Sequence, residues 1–218
     1  QANARTPFYS GDPADHATAI GYSSDAAAAG SIAIGSYSLA QNDDSIAIGR
    51  RATAGPNGVA LGSSAAASSQ FSTAIGSAAS ASDTASAFGA MSLAQGAFAL
   101  AAGYGATADS GYATAIGADA KAVHLNSIAV GRDSISQASN ALALGVGAKA
   151  TAASASASGH QAVAAGRSSS AVGNGAYAGA DYAAAQGFNA QATGLRAAAI
   201  GTLTRASGRD SFAAGVRT

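Results

Sequence analysis

The chain has 218 residues, and 123 of them are Ala (65), Ser (30) or Gly (28), while Leu, Ile, Val and Phe number only 32. With 11 basic and 11 acidic residues the net charge is zero, so the low-hydrophobicity, high-charge signature of disorder is only half met, and the balance argues against a general nucleic-acid surface. No Cys is present, which excludes disulfides, thiolate metal sites and Cys nucleophiles; the lack of Glu and the presence of only Lys121 and Lys149 disfavour helices; and no apolar run approaches the ~18 residues of a membrane-spanning helix.

The first sixteen residues lie outside any repeat and read as a lead-in or cap, and a start at Gln1 rather than Met is expected of a fragment of something longer. From residue 17 to 218 the chain is periodic. Anchor glycines stand at 21, 35, 49, 62, 76, 89, 103, 117, 131, 145, 159, 173, 187, 201 and 215, with twelve gaps of 14 residues and two of 13. Two residues before the anchor is Ala in all fifteen copies, and one and three before it are mostly Ile, Leu, Val or Phe. Three after the anchor is Ala, Ser or Thr only, and five after is Ala, with Ser136 the one exception.

This alternation has a period of two, which predicts two short strands per repeat. One is of the type Ser45-Ile46-Ala47-Ile48-Gly49, the other of the type Ser36-Tyr37-Ser38-Leu39-Ala40. Turn residues separate the repeats, as at Asn42-Asp43-Asp44, Gly55-Pro56-Asn57-Gly58, Asp109-Ser110-Gly111 and Gly208-Arg209-Asp210. The anchor glycine marks the other corner, where backbones approach closely. Fourteen is also two heptads, but a Gly in every second heptad and apolar residues two apart do not fit a coiled coil.

The expected fold is therefore all-β: a single parallel β-roll or solenoid of about fifteen two-strand coils, stacked at about 4.8 Å into a rod of about 70 Å. The small-only slots never carry a charge or a large side chain, so they should meet across a thin interior. Alternation then turns the aliphatic residues outward, as a stripe two side chains wide. A stripe of that length should be an interface between copies of the chain, with closed symmetry. The residues expected to form it are Ile32, Ile34, Ile46, Ile48, Val59, Leu61, Ile75, Ile116, Ile128, Val130, Leu142, Leu144 and Ile200. It weakens at Ala102, Ser158, Gln186 and Ala214. The second strand's outward slots, which include Tyr37, Arg51, Met91, Asp119, Gln161 and Asn189, are mixed and read as a solvent face.

Ser31-Ile32-Ala33-Ile34-Gly35, Ser45 to Gly49 and Ser127-Ile128-Ala129-Val130-Gly131, each followed by an x-x-Ser-x-Ala-like element, resemble the head repeats of trimeric autotransporter adhesins of the YadA type. The resemblance covers about 200 residues. It implies a left-handed roll, a homotrimer, and display on the surface of a Gram-negative outer membrane, attached only through a C-terminal anchor outside this fragment. It also implies attachment to host extracellular-matrix or cell-surface molecules. Copies from about Thr151 to Gly187 lose the Ile-Ala-Ile core and depart from the family pattern, although the register holds.

No catalytic constellation is expected. His16, His124 and His160 are scattered, Asp43-Asp44 reads as a turn, and neither a Gly-x-Ser-x-Gly elbow nor a Ca²⁺-binding nonapeptide repeat occurs. Neither cofactor nor metal is expected. The best-placed ligand-binding residues are Arg50 and Arg51, the one basic doublet of the array, and Met91, Leu93 and Tyr177, apolar groups on the expected solvent face. Leu39, Ile135 and Val163 share that face. Two rival functions are a left-handed β-helix acyltransferase, whose hexad repeats of about 18 residues per coil do not match, and a passive or ice-binding solenoid, for which outward Thr is too sporadic.

Overall fold

A computed structural model describes residues 16–218, which fall into two compact units, Gln1–Ala106 and Thr107–Thr218. The expected lead-in over 1–16 therefore lies, His16 apart, outside the described residues. Each unit is a parallel β-solenoid, and no helix occurs among the described residues. The first unit has seven three-residue strands, from Thr18–Ile20 to Leu100–Ala102, interleaved with six two-residue strands, from Asp25–Ala26 to Leu93–Ala94. The second has eight of each, from Thr107–Ala108 to Phe212–Ala214.

Within each unit, the strands pair in parallel with their equivalents one repeat on. Ile32, Ala33 and Ile34 lie beside Ile46, Ala47 and Ile48, and in the second unit Ile128, Ala129 and Val130 lie beside Leu142, Ala143 and Leu144. The second strands form their own sheet, with Leu39 beside Thr53 and Lys121 beside Ile135. The shorter coils lose their residue in the connection before the three-residue strand, around Gly55-Pro56 and Ser82-Asp83. Pairing of Ile46 with Val59 and of Thr73 with Ser86 is therefore kept.

The ladder continues into the corners, which is how strands of two or three residues keep their backbone groups satisfied. The Gly35 N–H donates to the Ile20 carbonyl at 2.7 Å, and the Tyr37 N–H to the Tyr22 carbonyl at 2.9 Å. Two corners per coil hold a residue in the left-handed region. One is five residues before the anchor, as at Asp44 (φ 51°) and Asn57 (φ 52°); the other is two after it, as at Tyr37 (φ 61°) and Arg51 (φ 59°). This corrects the sequence reading. Tyr37, Arg51, Met91, Asp119, Gln161 and Asn189 are corner residues rather than members of an extended second strand, which is only two residues long.

The anchor glycines hold φ between 121° and 140°, a region that L side chains rarely adopt. Space imposes the same choice. A Cβ on Gly35 would lie 2.6 Å from the Gly49 carbonyl oxygen, and one on Gly131 would lie 2.5 Å from that of Gly145. Within each unit the anchors form a column in which each backbone rests on the next.

Among the described residues every buried hydrophobic residue is an alanine, and the largest fully buried side chain is Thr204. Ala33, Ala47, Ala129, Ala143, Ala52 and Ala40 are all 0% exposed. The expected orientation is the one observed: tiny side chains inside, aliphatic side chains outside. The structure adds a fourth inward slot, four residues before the anchor, filled by Ser31, Ser45, Ser72, Ala85, Ala113 and Ser127 among others. Inward serines mostly return their hydroxyl proton to the carbonyl three residues back, Ser45 to Asn42 at 2.6 Å and Ser134 to Gly131 at 2.8 Å. Ser136 reaches instead to the Ala141 carbonyl at 2.9 Å, and the buried Ser169 hydroxyl has no partner.

Candidate functional surface

An interior of Ala and Ser removes little apolar area from water per coil. The chain's larger aliphatic groups stand outside it. In the first unit Ile32, Ile34, Ile46, Ile48, Val59 and Ile75 are half-buried by their neighbours in adjacent coils, and Leu61 is 42% exposed. In the second unit Val130, Leu142 and Leu144 are half-buried, while Ile116, Ile128 and Ile200 are 39, 38 and 41% exposed. None is sealed inside the chain. Within each unit the strand register places them in two adjoining columns on one sheet face. Contiguous outward apolar columns of this kind exceed ordinary scattered exposure.

Between Ser156 and Gln186 the same two columns carry Ser156, Ser158, Ser170, Val172, Ala184 and Gln186. The interior there is unchanged, with Ala157, Ala171 and Ala185 at most 1% exposed. Packing within the chain is thus the same where the sequence departs from Ile-Ala-Ile, and the departure is confined to the outer face.

The residues expected to bind a ligand do not form one patch. Arg50 and Arg51 are exposed side by side at one corner of the first unit. Met91 is 58% exposed and Leu93 half-buried on a coil three repeats further on, about 14 Å away at strand spacing. Small residues, Ala66 and Ser80, separate them in the second-strand column. Tyr177 belongs to the second unit and is 38% exposed, its ring covering Gly179.

Charged groups lie on the surface. The Arg196 guanidinium holds Asp210 through two hydrogen bonds, Nη2 to Oδ2 at 2.8 Å, and keeps that carboxyl below the usual carboxylate range. Arg132 approaches Asp133 at 3.4 Å and Arg167 approaches Asp181 at 3.5 Å. Partial burial raises the Asp109 carboxyl, against the opposing pull of Lys121. Such exposed pairs decorate the coils and contribute little to stability. Among the described residues no three His or Asp side chains come together as metal ligands.

The second unit carries a concave feature of which sequence reading gives no warning. Over three coils of the second unit, Arg132, Asp133, Ile135, Val146, Gly147, Lys149, His160, Gln161 and Val163 line a half-open hollow of about 490 Å³. It lies on the second-strand side, whose outward face is turned away from the aliphatic columns.

A search of curated proteins found no match. The family model of the YadA head domain repeat matches residues 14–38, 40–65, 54–79, 108–134, 136–162, 150–176, 178–204 and 192–218. The matched stretches include the Ser-rich coils from 151 to 187 and leave out 80–107. These repeats, the two-strand coils and the outward aliphatic columns agree with one another, and the chain belongs to the family built from YadA head domain repeats.

Proposed function

We propose that this chain is the adhesive head of a trimeric autotransporter, held out from a Gram-negative outer membrane, where it attaches the cell to host matrix or cell-surface molecules. The family is one of bacterial cell-surface adhesins whose heads form trimers and bind host molecules, and it is not an enzyme family. The observation that carries the reading is orientation. Among the described residues nothing larger than Thr is fully buried in one chain, while Ile34, Ile48, Val130 and Leu144 face outward. Three chains meeting along these columns would supply the hydrophobic core that one chain lacks. The residues assigned to that contact are Ile32, Ile34, Ile46, Ile48, Val59, Leu61, Ile75, Ile116, Ile128, Val130, Leu142, Leu144 and Ile200.

In a trimer the second-strand faces remain open and are presented three times, which suits contacts that are individually weak and collectively strong. The test is retention of particles bearing the chain on surfaces coated with matrix proteins. Retention that falls when the trimer is dissociated supports the reading. Equal retention on matrix-coated and albumin-blocked surfaces contradicts it.

A further inference from the structure

The hollow of the second unit owes its shape to Gly147, and nothing in the coil requires that glycine. Gly147 occupies the left-handed corner two residues after the anchor, at φ 66°. The same corner holds Asp133 and Gln161 in the two adjoining coils and Tyr37, Arg51 and Met91 elsewhere, all at positive φ. The backbone conformation therefore accepts side chains. Space accepts one as well, since a Cβ on Gly147 would meet only the Gln161 Cγ, at 3.5 Å. The anchor column is different, because there a Cβ would strike the next backbone. What the glycine does is leave out one side chain between Asp133 and Gln161.

The space so opened has a definite chemistry. Ile135, Val146 and Val163 give it apolar walls, Gln161 offers an amide, His160 an imidazole, and Arg132 and Lys149 bring cations to its rim. Its single acid, Asp133, is engaged by Arg132 at 3.4 Å. Lys149 has no ion-pair partner among the described residues. The neighbouring column continues the pattern, since Lys121, Ile135, Lys149 and Val163 follow one another in strand register. The two lysines are thus two coils, roughly 10 Å, apart with an aliphatic side chain between them. Repeated cations alternating with apolar contacts fit a chain of sugars with acidic groups at intervals: the apolar walls take the C–H face of a ring, the amide its hydroxyls, and the cations its acidic groups.

We propose that this hollow binds an acidic polysaccharide, seating one sulfated or uronate-bearing unit over Gly147 with the chain running along the Lys121–Lys149 column. The proposal rests on the adhesive-head reading and deepens it by naming a ligand class. The probes are a heparin-derived hexasaccharide, the same hexasaccharide without its sulfates, and a sialylated trisaccharide, measured by calorimetry on the full chain at physiological salt. The hexasaccharide binds, more weakly at higher salt because the contacts are exposed charges. Gly147→Gln, which fills the hollow with a residue the next coil already carries at this corner, weakens binding at least about tenfold, as does Arg132→Ala with Lys149→Ala. Arg205→Ala with Arg209→Ala, which removes equal charge from an exposed part of the last coil, leaves binding unchanged.

The proposal is overturned if the wild-type chain does not bind the hexasaccharide. It is overturned equally if Gly147→Gln binds as well as wild type while its circular dichroism is unchanged, or if the sialylated trisaccharide binds in place of the hexasaccharide. Retention on matrix proteins without hexasaccharide binding sinks the hollow and leaves the adhesive head standing. Hexasaccharide binding by a chain that never trimerises does the reverse.

Discussion

The coils around Ile32–Leu61 in the first unit and those around Ser156–Gln186 in the second have the same kind of interior and differ outside. Ala33, Ala47 and Ala60 in one stretch and Ala157, Ala171 and Ala185 in the other are buried to within 1%. The outward columns read Ile-Ile, Ile-Ile, Val-Leu in the first stretch and Ser-Ser, Ser-Val, Ala-Gln in the second. Coiling and outward chemistry are therefore written in separate positions. Tiny side chains and the glycine column dictate how the chain coils, and the outward columns set what its exposed face offers. The first stretch offers a dry apolar face, whereas the second offers hydroxyls and an amide that need hydrogen-bond partners or water if they are covered.

The largest effect should come from the glycine column. Gly131→Val places a branched side chain at φ 126° and against the Gly145 carbonyl, and should cost at least about 3 kcal/mol in urea unfolding. Gly147→Ala, at a corner that accepts side chains, should cost about 1 kcal/mol or less. Equal costs for the two would mean that the anchors are not in contact.

The interior should treat the two stretches alike. Ala47→Leu and Ala171→Leu each force a large side chain between the sheets, at about 2 to 3 kcal/mol apiece. A much cheaper Ala171→Leu would show that the Ser-rich coils are looser inside and that the comparison above is wrong. A smaller contrast separates two buried serines. Ser45→Ala loses a hydrogen bond to the Asn42 carbonyl and should cost about 1 kcal/mol. Ser169→Ala removes a hydroxyl that has no partner, so it should be neutral or slightly stabilising. Thermal melts of the two variants give that ordering or refute it.

Much of this was legible in the sequence, because repetition acts as its own experiment. Fifteen copies in which one slot is always Ala reveal a space that admits nothing larger. The slot four before the anchor carries only Ala, Ser or Gly in every copy, but it lies beyond the Ile-Ala-Ile alternation and is hidden among neighbouring small residues. The corner at Tyr37 and Arg51 was read as strand because parity along the chain reports which side a residue takes and not its φ. Tyr37, Arg51, Met91 and Gln161 carry no turn signature, and Asp119, Asp133 and Asn189 give one in too few copies to mark the corner. Gly147 was invisible for the opposite reason, since one more glycine among 28 means nothing until the other occupants of its corner are known. Arg50 and Met91 were candidates as isolated surface residues, and the coil spacing keeps them apart.

The account depends most on the outward aliphatic columns being covered by sister chains, and sedimentation equilibrium measures that directly. Wild-type chain should sediment at three times its own mass. Ile46→Asp combined with Ile128→Asp should sediment as single chains that keep the β-sheet circular dichroism of the coil. A wild-type chain that is monomeric at micromolar concentration, or a double variant that stays trimeric, would contradict it.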